Sequence, residues 1–261
     1  NQLIMFAFLI FEVINIGTSV LCSQYLGARM HKNMVQVVGV SLILNLVFGL
    51  FVSAILHYGA TSLLSMMGLR PELMEYGVSY MKIVGAFAFF QAISLTISAS
   101  LRSANKAVYP MMVTVVVNIL NIIGNYSLIF GKFGMPALGV EGAAISTAFA
   151  RGVSMVILFV ILFRKHIPRF PLSYFCPFPF VELKNLLKIG VPSAGENMSY
   201  SFSQVVLTYF INMLGNEALA TRTYVVNIVM FVYLFAIAMA QGGAICIGHL
   251  VGERKIHAAY L

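Results

Sequence analysis

Glu196 is the residue best equipped for chemistry, an acid about two turns into an apolar segment that opens Gly190-Val191-Pro192. Ser193, Asn197, Ser199, Tyr200, Ser201, Ser203, Gln204 and Thr208 follow it, a polar load that a lipid-facing helix does not carry. A charged group near the middle of a spanning helix costs about 2.5–3.5 kcal/mol on insertion scales. Glu196 is therefore expected to be held protonated or paired with a cation, the behaviour that Na⁺ or proton coupling requires. Other polar stripes recur at helical spacing: Glu12, Asn15, Ser19 and Ser23; Gln91, Ser94 and Ser98; and Asn118, Asn121 and Asn125. Each must face protein or water, so each either bonds a neighbouring helix or lines a path. The residues expected to hold a coupling ion or substrate are Glu196, Asn197, Tyr200, Gln204, Glu12, Asn15, Asn118 and Asn121, with Na⁺ at Glu196 as the candidate ion. Arg151 is the one basic residue well inside a span and is expected to pair with a carboxylate, the alternatives being to snorkel or to face a cavity.

The elements that position these residues follow from composition. With 60% hydrophobic and 9% charged residues, no polar shell could cover the chain in water. Seven stretches meet the requirement of about 20 mainly apolar residues, at 2–26, 34–58, 78–101, 109–130, 142–163, 189–213 and 222–250. The basic residues alternate between their ends. Arg29, Lys32, Arg102, Lys106, Arg164, Lys165, Arg169, Lys184, Lys188, Arg254 and Lys255 fall on one side, against Arg70, Lys82, Lys132 and Arg222 on the other. The richer side is cytoplasmic by the positive-inside rule, which places the first span running inward. The net charge of +8 is thus an orientation signal and an attraction to anionic lipid, with no nucleic-acid partner implied.

Cys22, Cys246 and Cys176 have neither metal-ligand spacing nor a disulfide framework and read as packing residues. Both ends read as cut from a longer chain. The stretch with Pro168, Pro171, Pro177 and Pro179 reads as a semi-rigid connection. The expected organisation is a first lobe at 1–165 with five helices, a cytoplasmic linker at 166–188, and the opening of a second lobe at 189–261 with two. Laying residues 17–35 on 242–260 matches Gly17 with Gly242, Gly27 with Gly252 and Arg29 with Arg254. An offset of six spans in the same orientation predicts two parallel halves related by an axis along the membrane normal.

Several blocks resemble the multidrug and toxic compound extrusion (MATE) transporter family. They are Arg102-Ser-Ala-Asn-Lys-Ala-Val-Tyr-Pro110; Asn118, Asn121 and Asn125-Tyr-Ser-Leu-Ile-Phe-Gly131; Gly134-Met-Pro-Ala-Leu-Gly-Val-Glu-Gly-Ala-Ala144 with Thr147; Ser23-Gln-Tyr-Leu-Gly-Ala-Arg29 with Gly248-His-Leu-Val-Gly-Glu-Arg254; and Gly190-Val-Pro-Ser193. The Gly-Ala-Ala run there permits close backbone approach as its helix begins. The resemblance makes the spans similar to the second to eighth helices of that family. It implies an all-α, two-lobed membrane transporter built from six-helix repeats, resident in a bacterial inner membrane as a monomer. It further implies export of small cationic amphipathic compounds by alternating access, in exchange for Na⁺ or H⁺ and without a cofactor. The chain contains no Asp, so the coupling chemistry of that family does not carry over whole.

Three other classes compete with this reading. A lipid-linked oligosaccharide flippase shares the architecture but needs a more cationic cavity than Arg151 alone provides. A seven-helix receptor matches the topology, but the chain has no Trp and no Lys in its last span. An intramembrane enzyme needs converging catalytic groups at depth, whereas His31, His57, His166, His249 and His257 are dispersed along loops and span ends.

Overall fold

The computed structural model describes residues 2–66, 71–167, 171–175, 178–213 and 216–260. Arg70, Arg169, Cys176, Pro168 and Pro177 lie outside the described residues. The helices are α1 (Gln2–Gly27), α2 (His31–Tyr58), α3 (Ala60–Met66), α4 (Pro71–Ala86), α5 (Ala88–Ser103), α6 (Val108–Phe130), α7 (Gly139–Ile161), α8 (Phe180–Met213), α9 (Asn216–Gly252) and α10 (Ile256–Tyr260). Four are long and apolar enough to cross a bilayer: α2, α6, α7 with its π-helical extension to His166, and α9 from Tyr224. The bent pair α4–α5 makes a fifth. α1, 26 residues with Glu12 as its single charge, and α8, 34 residues, have the length for the remaining two.

Two expected spans differ from the structure. The stretch 78–101 is not one rod: α4 and α5 meet at Phe87 with a 45° bend. A bend frees backbone groups that need partners, and the Phe89 amide donates to Ser53 Oγ of α2 at 3.3 Å. Gly49 and Gly85 make room on either side of the bend, because a Cβ at Gly49 would strike Phe89 and one at Gly85 would strike Leu56. The segment expected to begin at 189 begins at Phe180, so Gly190-Val191-Pro192 lies inside α8 and the last part of the expected linker is helical. At 1.5 Å per residue α8 is roughly 50 Å long, well over the ~30 Å hydrocarbon, and its first turns project beyond it.

One core joins α1, α2, α5 and α7 through Ile14, Leu21, Val38, Ile97, Leu101 and Leu158, all buried. A second cluster, Phe11, Val52, Leu56, Met81 and Ala92, fills the other end of the α1–α2–α4–α5 contact. α6 and α7 pack where Gly142 lies against the Leu128 carbonyl and Gly124 against Ser146, the close approach that the Gly-Ala-Ala run anticipates.

The repeat is visible in the backbone. α1 ends with Arg29 at φ 58°, Arg29 N–H donating to Leu26 O at 3.1 Å and Met30 N–H to Tyr25 O at 2.8 Å. α9 ends with Arg254 at φ 59°, Arg254 N–H donating to Val251 O at 3.0 Å and Lys255 N–H to Leu250 O at 2.9 Å. The next helices start at His31 and Ile256, the same offset of 225 as the sequence match. A left-handed residue closed by a bond spanning five residues satisfies carbonyls that the helix end leaves open, and α1 and α9 both end this way.

Candidate functional site

A cavity of about 410 Å³ opens between α5, α6 and α7. α5 turns Gln91, Ser94, Ser98 and Arg102 toward it, the stripe that its spacing set apart. α6 adds Thr114, Asn118 and Asn121, and α7 adds Thr147, Arg151 and Ser154. Leu95, Val113, Val117 and Leu158 supply apolar wall, and the described wall contains no carboxylate. Asn121 Nδ2 donates to Thr147 Oγ1 at 3.4 Å, and Asn125 Nδ2 donates to Asn121 Oδ1 at 2.8 Å. The first bond ties α6 to α7, and the second, within α6, fixes the amides along one face. Ser94 Oγ is buried without a partner among the described residues.

The other expected site residues lie elsewhere. Asn15 is buried in a narrow polar seam between α1, α2 and α5, where Asn45 Nδ2 donates to Thr96 Oγ1 at 2.5 Å and Thr96 Oγ1 to Asn15 Oδ1 at 3.5 Å. Thr18 Oγ1 continues the seam by donating to Ser41 Oγ at 2.7 Å. Glu12, on the same helix, is exposed, and its charge reaches Arg102. Glu196, Asn197 and Tyr200 lie exposed along α8 and do not meet the α5–α6–α7 cavity. Gln204 is half-buried and holds Arg222 of α9, whose guanidinium donates to Gln204 Oε1 at 2.9 Å and to Thr208 Oγ1. Arg151, for which facing a cavity is one of the expected placements, is a wall residue of this one.

A second constellation closes the basic end of the molecule. Glu182, 4% exposed, accepts from Tyr25 Oη at 2.7 Å and from Asn33 Nδ2 at 2.8 Å, which fastens the start of α8 to α1 and α2. Gly17 and Gly190 let α1 and α8 touch, since Cβ atoms there would meet the carbonyls of Leu186 and Val13. α9 crosses the end of α1 by the same device: Gly27 faces His249, Gly248 faces Ser23, and Gly252 faces Gln24. His249 Nε2 also lies 2.7 Å from Ser103 O at the end of α5. Sequence reasoning missed Glu182 because it lay in the expected linker. Leu183, Leu186 and Leu187 continue the apolar periodicity back from residue 189 and were the available signal.

A model of the MatE family matches residues 1–127 and 192–261. The chain belongs to the MatE family. Among its relatives is a Bacillus subtilis (strain 168) protein described as the uncharacterized transporter YisQ, 41% identical over 260 residues, or 100% of this chain and 57% of that protein. A Thermotoga maritima relative described as a probable multidrug resistance protein NorM is 28% identical over 92% of this chain and 52% of its own length. This MatE chain thus spans little more than half the length of these relatives. It superposes on the outward-facing conformation of a multidrug resistance MATE family transporter with a TM-score of 0.86, at 26% identity and covering 97% of this chain and 56% of that one. For an inward-facing conformation the TM-score is 0.73, at 27% identity and covering 98% and 59%. The protein is an all-α, multi-pass integral membrane protein of a transporter family, not an enzyme.

Proposed function

We propose that this protein is a secondary active exporter of amphipathic organic compounds that works by alternating access, driven by inward flow of Na⁺ or H⁺. One observation carries the reading: α8 and α9 both pack on α1 through close glycine contacts, while α5, α6 and α7 line a polar cavity. Backbone contact at glycines makes a seal that is either fully formed or fully open, because packed interfaces are bistable rather than continuously deformable. Rocking the lobes about it exposes the interior to alternate sides.

Glu196 is the coupling acid in this proposal, the group whose protonation or Na⁺ occupancy changes between states, with Glu12 as a second acid at comparable depth. Asn197, Tyr200 and Gln204 supply neutral oxygens and amides beside it on α8. The protein works as a monomer in the bacterial inner membrane. A flippase for a lipid-linked phosphate gains support from Arg102, which joins Arg151 in one cavity.

The test is efflux from everted vesicles carrying the full-length protein, under an imposed Na⁺ or pH gradient. Glu196→Gln is expected to abolish gradient-driven efflux while folded protein remains in the membrane. Undiminished transport by that variant removes Glu196 from the mechanism, and gradient-independent fluxes remove the exporter reading.

A further inference from the structure

We infer that the cavity between α5, α6 and α7 binds the anionic group of an amphipathic ligand: a carboxylate, sulfonate or phosphate ester. The inference rests on the exporter reading and names the substrate class of that site.

Two guanidiniums, Arg102 and Arg151, enter one cavity of about 410 Å³, and the described wall brings no carboxylate to balance them. Glu12 reaches Arg102 electrostatically from α1, so Arg102 has a described counter-charge outside the wall. Each guanidinium carries five N–H donors in a planar fork, so a partner elsewhere still leaves donors for a ligand. Arginine inside a membrane protein faces the interior or a watery cavity and marks a pathway, and its fork matches planar oxyanions in two bonds at once.

An independent observation points the same way. Ser94 lines the cavity, is 6% exposed, and its hydroxyl has no partner among the described residues. A buried hydroxyl without a partner carries a desolvation cost, which an oxyanion accepting its proton relieves. Asn118 and Thr147 add groups that bond a ligand's polar edge, and the apolar wall takes a hydrophobic body. A cation entering here meets like charge, which costs affinity and enforces specificity.

The experiment compares two fluorescent ligands with the same apolar body and opposite charge, pyrenebutanoate and pyrenebutyl-trimethylammonium, binding to purified full-length protein in detergent. The expected result is tighter binding of the carboxylate by about tenfold or more, the range a charge-assisted bidentate contact provides. Arg151→Gln is expected to remove that preference, Arg151→Lys to keep most of it, and Arg102→Gln to reduce it. Ser94→Ala, a milder change that preserves folding, is expected to weaken the carboxylate by about threefold, one neutral hydrogen bond's worth. Tighter binding of the ammonium, binding of neither probe, or a carboxylate preference untouched by all four variants overturns the inference. Because binding needs no gradient, these results are separable from the efflux test: an ammonium preference leaves the exporter reading standing, and loss of gradient-driven efflux leaves the binding preference readable.

Discussion

Glu182 shows how much a single residue decides when it is buried with both carboxylate oxygens occupied. Its hydrogen bonds to Tyr25 and Asn33 join three helices. Glu182→Gln replaces one acceptor oxygen by a donor, so one of the two bonds fails, at a cost of about 1–3 kcal/mol. A lower unfolding temperature in detergent is the expected result. Combined with Tyr25→Phe, the loss should fall short of the sum of the single losses, because both changes remove the same contact. Glu253 is the contrasting case. Its hydrogen bond and charge contact with Lys255, 2.7 Å away, hold its carboxyl below the usual carboxylate range. The sign follows: this contribution is present above the unfolded-state carboxylate pKa of about 4.3 and disappears as pH falls through the lower folded value. Because the pair is exposed and screened by solvent, Glu253→Gln is expected to leave the unfolding temperature at pH 7 unchanged, and a measurable drop would contradict that account. Glu196 and Asn118 were legible from sequence as polar residues in apolar spans. Glu182 was not, because its meaning depends on partners 149 and 157 residues away in the chain.

At the scale of elements, the glycines at helix crossings separate into those that touch and those that do not. A Cβ at Gly252 would collide with the Gln24 carbonyl of α1, whereas Gly242, on the same helix, has nothing within 4 Å. Gly242→Ala is therefore expected to be neutral or stabilising by up to ~1 kcal/mol, the ordinary gain of removing a helical glycine. Gly252→Ala should instead push α9 off α1 and shift the protein toward the state open at the basic end. Distances between spin labels on the ends of α1 and α9 measure this: a longer distance for Gly252→Ala with Gly242→Ala unchanged is the expected pair of results. The sequence match treated Gly17 and Gly242 as equivalent, and in the repeat they are. Their surroundings differ, since Gly17 meets Leu186 of α8 and Gly242 meets nothing described. Hydropathy showed the spans, but not the 45° break at Phe87, because the break depends on Ser53 and Gly49 of another helix.

For the whole molecule, orientation is the testable property. The helix ends at Met30 and Lys255 lie with the basic cluster, and the connection carrying Met135 lies at the opposite end. All three side chains are exposed. In cells, Met30→Cys and Lys255→Cys are expected to resist a membrane-impermeant maleimide and Met135→Cys to react, once the native cysteines are replaced. The reverse pattern would invert the topology and with it the direction assigned to transport. The turns at Arg29 and Arg254 share their left-handed geometry, with φ 58° and 59°.

By itself the sequence showed most of the apolar spans, the basic asymmetry between their ends and the six-helix offset, because each follows from local hydropathy, charge and spacing that no distant contact alters. Only the tertiary structure decided which polar stripes meet. It brought Arg102, from an expected loop, and Arg151 into one cavity, sent Asn15 into a buried polar seam, and turned the end of the expected linker into a helix fastened to α1 by Glu182. The reason is physical: a helix's own sequence fixes which of its side chains share a face, but the angle and depth at which two helices cross depend on small residues and hydrogen-bond partners on both.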